Sequence, residues 1–227
     1  MRHMTAKEED ILTNPALIKN GTALDRVLNS LIVEPKMDTD SLIIGDKNAL
    51  LLAARISAYG EEYNAKVTCP VCASNQTYEF DLGEIQPGAL DELTMAIEGA
   101  ELNKTVLIRT PKTNLLFELR PMLGADEKEL DKQAKKYKKL KIPTTVGLTD
   151  NFANLTVSIN GENDPVQVRR VYENLPAYDF RFLRKMYQRC MPSVDLLSDF
   201  TCTECGAEEV ISVPLNATFF WPDARIQ

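Results

Sequence analysis

Through the first sixty residues the apolar positions recur at helical spacing. Thr5, followed three positions later by Glu8 and then by Glu9 and Asp10, has the form of a capping box opening a helix, and Asn14-Pro15 breaks that helix. Leu24, Val27, Leu28, Leu31 and Ile32 fall on one face of a second helix opened by Gly21-Thr22. Leu50, Leu51, Ala54 and Ile56 mark a third, which starts at an Asp46 cap and stops at Gly60. The three predict a packed helical region over residues 1–63.

After Tyr63 the period changes to alternation. Val67 precedes and Thr77 to Leu82 follow the pair Cys69-Pro70-Val71-Cys72, and the layout returns where Phe200-Thr201 leads into Cys202-Thr203-Glu204-Cys205 and then Val210 to Val213. Each copy reads as Thr, Cys-x-x-Cys, a polar turn and a strand, so two hairpins are expected, over residues 64–88 and 195–227. Between them lies an inserted segment, residues 89–194, with signals of its own. Thr105 to Arg109 and Leu115 to Leu119 form a candidate hairpin around Pro111 to Asn114. Asp126 to Lys141 reads as a helix with acids first and bases later, but its apolar stripe, Leu130, Ala134, Tyr137 and Leu140, is narrow. Leu155 to Ile159 and Val166 to Val171, separated by Asn160 to Asp164, predict a further hairpin, and Pro176 opens a last helix reaching Cys190. The fold class expected is α+β: a helical N-terminal part, a zinc-ribbon-like module made by two knuckles distant in sequence, and an inserted α+β segment.

Four thiols in two Cys-x-x-Cys pairs turn this layout into chemistry. Cys69, Cys72, Cys202 and Cys205 match the ligand set of one tetrahedral structural zinc ion, Zn2+, whose closed shell leaves no position for a substrate. A thioredoxin-like site would need its pair to open a helix after a strand, and neither pair does. The fifth cysteine, Cys190, has no thiol or histidine near it in sequence and reads as a buried free thiol.

Composition narrows the function further. The chain of 227 residues is 44% apolar, enough for a sizeable core, and 33 acids against 26 bases give a net charge of -7. Such a balance does not favour nucleic acid as a partner. The only histidine, His3, lies at the N-terminus, and neither a phosphate-binding Gly-Lys loop nor a dinucleotide fingerprint is present, so no catalytic residue and no small-molecule substrate is assigned. The N-terminus has no signal-peptide pattern and the longest apolar run, Ala49 to Ala54, is far too short to span a membrane, so a soluble protein made in the cytosol is expected. Two surfaces are left as candidate partner contacts. One is the lysine run that includes Lys135, Lys136 and Lys139, whose simplest reading is a solvated helix face. The other is Phe219-Phe220-Trp221, which either caps the core or anchors a partner.

Three stretches carry a family likeness: Met4 to Leu12, Ile44 to Leu50 continuing through Arg55-Ile56 to Tyr59-Gly60-Glu61-Glu62-Tyr63, and Phe219-Phe220-Trp221-Pro222. With them the chain resembles the T4-type bacteriophage baseplate hub proteins, a family also described as hub assembly chaperones of contractile tails. The likeness is best over residues 4–80 and the last fifty or so, and looser through the insertion. It implies a non-enzymatic protein that binds hub or spike subunits in the host cytoplasm during assembly, and one found in the virion if it stays in the finished baseplate. The alternative, from a different class, is a zinc-ribbon regulator acting on nucleic acid or RNA polymerase. A metal-dependent hydrolase would require an open coordination position.

Overall fold

The computed structural model describes residues 1–85, 105–139, 147–191, 193–194, 196–214 and 217–220, with the backbone alone at 138–139 and 217–218. The chain divides into two compact units: Met1–Thr39, Asp46–Gly88 and Ser193–Gln227 make the first, and Asp40–Gly45 with Ala89–Pro192 the second. Each has its own apolar core. The class is α+β.

In the first unit, α1 (Ala6–Leu12), α3 (Ala23–Leu31) and α4 (Ile44–Tyr59) pack around Leu12, Val27, Leu28, Leu31, Leu51 and Ala54. The capping box at the start of α1 forms: one carboxylate oxygen of Glu8 accepts from the Thr5 N–H at 2.9 Å and the Thr5 hydroxyl at 2.8 Å. That carboxyl also takes the Arg2 guanidinium at 2.5 Å and the Ser30 hydroxyl at 3.0 Å, so α1, α3 and the N-terminal strand of chain meet on one buried acid. A short helix absent from the sequence reading, α2 (Pro15–Asn20), follows α1 directly. Asn14 both ends the first helix and caps the second, its side chain accepting from the N–H groups of Ala16 and Leu17.

Two antiparallel hairpins complete this unit. β1 (Glu62–Thr68) pairs with β2 (Asn75–Asp81), and β6 (Leu197–Thr201) pairs with β7 (Glu208–Ser212). Along β1 the alternation turns Tyr63, Ala65 and Val67 into the core, where they meet Phe80, Phe200, Phe219 and Phe220. One cation sits among them. Arg55 of α4 is fully buried and donates to the carbonyls of Phe219 at 2.8 Å, Gly60 at 2.9 Å and Glu62 at 2.8 Å, with its guanidinium 5.2 Å from the Tyr59 ring centre. Its planar fork thus satisfies three backbone acceptors at the end of α4, the start of β1 and the chain's last described turn. Lys47 and Asp25 form a second buried pair, at 2.8 Å, between α4 and α3.

In the second unit β3 (Val106–Arg109), β4 (Leu116–Leu119) and β5 (Thr156–Ile159) make a three-stranded antiparallel sheet in the order β3-β4-β5. Around it lie α5 (Gly124–Lys139), α6 (Leu148–Leu155), α7 (Pro165–Asn174) and α8 (Ala177–Cys190). The hairpin predicted over Leu155–Ile159 and Val166–Val171 does not form. Val166–Val171 belongs to α7: Asp164 accepts from the Val166 N–H, Pro165 takes the first helical position, and Val168 and Tyr172 make the buried face. The alternation of Val166 and Val168 was therefore local, and the capping signal before it decided the element. β5 pairs instead with β4, Phe117 opposite Ile159. On α5, Leu130 and Tyr137 are half-buried and Ala134 exposed, while Leu140 lies outside the described residues.

Candidate metal centre

Each hairpin of the first unit closes on a six-residue loop that begins with one of the cysteine pairs. In the first loop the Cys69 N–H donates to the Ser74 carbonyl and the Ala73 N–H to the Cys69 carbonyl, both at 2.9 Å. In the second, the Cys202 N–H donates to the Ala207 carbonyl and the Gly206 N–H to the Cys202 carbonyl, again at 2.9 Å. The loops are copies of one another in backbone bonding. Both place the residue after their second cysteine in the left-handed region, Ala73 at φ 57° and Gly206 at φ 72°. The first cysteine of each pair, Cys69 and Cys202, is buried; the second, Cys72 and Cys205, is exposed.

The four sulfurs lie within 4.8 Å of one another, with Cys69 to Cys205 at 3.8 Å and Cys72 to Cys202 at 3.7 Å. None is in a disulfide. A tetrahedron of thiolates around an ion at a metal–sulfur distance of ~2.3 Å has edges of ~3.8 Å, so the two cross-hairpin separations fit a metal and are far too long for an S–S bond. Together the four residues can hold a metal ion. Cys-x-x-Cys spacing brings two sulfurs to the site from each loop, and the core beneath brings the loops together.

Protonation at the cluster is uneven. A backbone N–H from Cys205 and the Ser74 hydroxyl draw the Cys202 thiol down to about 6, and the Ser74 hydroxyl likewise lowers Cys72. At Cys205 a backbone bond from Ala207 works downward, but sharing a proton with Cys72 and burial overcome it and push the thiol up to about 12. Four sulfurs this close cannot all carry charge unaided; a cation among them removes that conflict.

Two polar side chains that the sequence reading did not single out hold the site's surroundings. Ser74 Oγ lies 3.1 Å from the Cys72 sulfur and 3.6 Å from that of Cys202, so one hydroxyl serves both loops. Gln76, on β2, accepts through its amide oxygen from the Thr203 N–H at 3.1 Å and hydroxyl at 2.9 Å, across 127 positions of sequence. Tyr78 adds a bond from its hydroxyl to the Asp199 carbonyl at 2.9 Å. Such outer contacts fix the orientation of the ligands, and no local pattern announces a bond made over that separation.

The remaining candidate residues lie elsewhere. Phe219 and Phe220 are 1% and 0% exposed, packed edge-on against each other and, for Phe219, against Tyr63 at 5.0 Å. Their rings are part of the first unit's core. Trp221 lies outside the described residues. Lys135 and Lys136 are exposed on α5, and the side chain of Lys139 is not among those described. Cys190 is buried in the core of the second unit, whereas Cys69 and Cys202 belong to the core of the first. No helix among the described residues is long and apolar enough to cross a membrane.

A protein-family model described as T4 bacteriophage base plate protein matches residues 1–221. No curated protein and no solved structure was found to match the chain. The family match spans both units and both cysteine pairs: the chain belongs to the T4 bacteriophage base plate protein family, and with it to the structural apparatus of a phage tail baseplate.

Proposed function

We propose that this protein is a non-enzymatic component of contractile-tail baseplate assembly that binds hub or spike subunits, with Cys69, Cys72, Cys202 and Cys205 holding a structural zinc ion. The observation that carries the reading is the family match over residues 1–221, a span that includes the sulfur cluster. Zinc is favoured by a donor set of four thiolates at tetrahedral separations, and such an ion supplies folding energy and no reaction. Contact with other baseplate proteins follows from the assembly to which the family's name refers. Work in the host cytoplasm during assembly, and retention in the finished tail, belong to the same proposal.

Co-expression with the hub and spike subunits of the same phage, followed by size-exclusion chromatography, tests the partner. Co-elution with at least one subunit is expected, and separate elution from all of them overturns the reading. For the metal, protein purified without chelator is expected to hold about one zinc per chain and, after cobalt substitution, to show the absorption of tetrahedral cobalt bound to thiolates. Iron in place of zinc, or no bound metal, removes the assignment.

A further inference from the structure

A basic stripe runs down the exposed side of α8. Arg181, Lys185 and Arg189 are exposed at steps of four residues, a row of ~12 Å at 1.5 Å per residue. Among the described residues no carboxylate lies within 4 Å of Arg181 or Lys185. The helix has one acid, Asp179, and that acid is buried and already occupied: it accepts from the N–H groups of Lys112 and Thr113 at 3.0 and 2.8 Å and from the Thr113 hydroxyl at 2.7 Å. The charge therefore stays on the surface, and Tyr178 extends the stripe, 58% exposed with the Lys112 ammonium 5.0 Å from its ring centre. On a chain of net charge -7 this face, like the lysines of α5, runs against the overall balance.

The complementary surface is carried by the same chain. On the hairpin β6–β7 of the first unit, Asp199, Glu208 and Glu209 are exposed, and no cation lies within 4 Å of them among the described residues. They border a shallow hollow of about 500 Å³ together with Val210, which is 59% exposed. Asp199 pairs across the strands with Val210, and Glu208 stands two positions from Val210, so these three share one face of the hairpin. A guanidinium can meet the two carboxylates there with charge-assisted N–H···O bonds, and an exposed tyrosine and valine give the charges an apolar neighbour.

We infer that the α8 stripe of one copy docks on the β6–β7 hairpin of a second copy, through Arg181 and Lys185 against Asp199 and Glu208. The two surfaces differ, so every copy carries both halves of the contact. Exposed charges carry it, so it weakens as salt screens them. It is independent of hub or spike binding, whose failure in co-elution would leave this contact intact.

The test is sedimentation of the purified full-length protein. Wild type is expected to associate with rising concentration at about 50 mM salt and to revert to monomer at about 500 mM. Arg181→Glu with Lys185→Glu, and separately Asp199→Lys with Glu208→Lys, should each weaken association at least tenfold while keeping wild-type thermal melts, since all four side chains are exposed. Mixing the two variants should restore it, because each then meets a surface of opposite charge. Wild type that stays monomeric up to about 0.5 mM at low salt overturns the inference. So does association that ignores both charge reversals, or a stripe that binds a DNA duplex through Arg181 and Lys185 with no self-association.

Discussion

Ala73 and Gly206 occupy the same left-handed position in two loops with the same hydrogen bonds, and only one of them is glycine. A Cβ built on Gly206 meets nothing within 4 Å, so any penalty there comes from φ and not from crowding. Left-handed backbone costs a non-glycine residue about 1–2 kcal/mol, partly offset by the extra freedom glycine has when unfolded. Ala73→Gly is therefore expected to raise stability by about 0.5–1 kcal/mol and Gly206→Ala to lower it by a similar amount, as measured by chemical denaturation of the metal-loaded protein. At Glu8 the residue-scale effect is electrostatic: the Arg2 bond, with help from Thr5 and Ser30, holds the carboxyl down at about 2 from an ordinary 4.5. A lowered folded value means that the stabilisation is complete above about 4.5 and is lost as pH falls toward 2. The unscreened maximum is about 3 kcal/mol; with the Arg2 side chain 38% exposed, solvent reduces it to about 1–2 kcal/mol. Melting curves between pH 2 and 5 should show Glu8→Gln less stable than wild type at the upper end and the two converging at the lower.

Among the elements, those announced by a cap or by a repeated face were legible from sequence: α1 by Thr5 and Glu8, α3 by Leu24, Val27, Leu28 and Leu31, α4 by its stop at Gly60, and the β3–β4 hairpin by Pro111 to Asn114. The elements that went unread or misread are short or carry a competing local pattern. α2 is six residues long, and its cap, Asn14, is also the break that ends α1. At α7 two valines at alternate positions imitate a strand, while the deciding signal, Asp164-Pro165, stands just before them. This makes the cap testable: Asp164→Ala should cost about 1 kcal/mol, and Asp164→Asn, which keeps the acceptor, much less. Equal losses would mean that the side chain does not cap α7. The sulfur site was legible because its ligands come in pairs close in sequence. Ser74 and Gln76 were not, because what makes them part of the site is a loop from the other end of the chain.

At the scale of the whole molecule, two cores with separate membership predict two responses to one treatment. Cys69 and Cys202 belong to the first core, together with the helices of the N-terminal region, and no metal-type cluster was found among the described residues of the second. Stripping the metal with a strong chelator should lower the melting temperature of the first unit and leave the second, monitored by protection of β3–β5 amides from hydrogen exchange, unchanged. Cys69→Ser and Cys205→Ser should reproduce that loss, and Cys190→Ser should not. The 130 positions between Cys72 and Cys202 also set an order of events during synthesis. At about 5–20 residues per second, the first knuckle leaves the ribosome on the order of 10 s before its counterpart. Through that interval it has two sulfurs, an incomplete shell, and a helical region still missing Phe200, Phe219 and Phe220. The second unit has time to fold in the gap, and only a chain translated past Cys205 can close the first. Uptake of the proposed metal would thereby report that the ribosome has passed that point, and on the proposed function a truncated copy would be a poor candidate for incorporation into a growing tail.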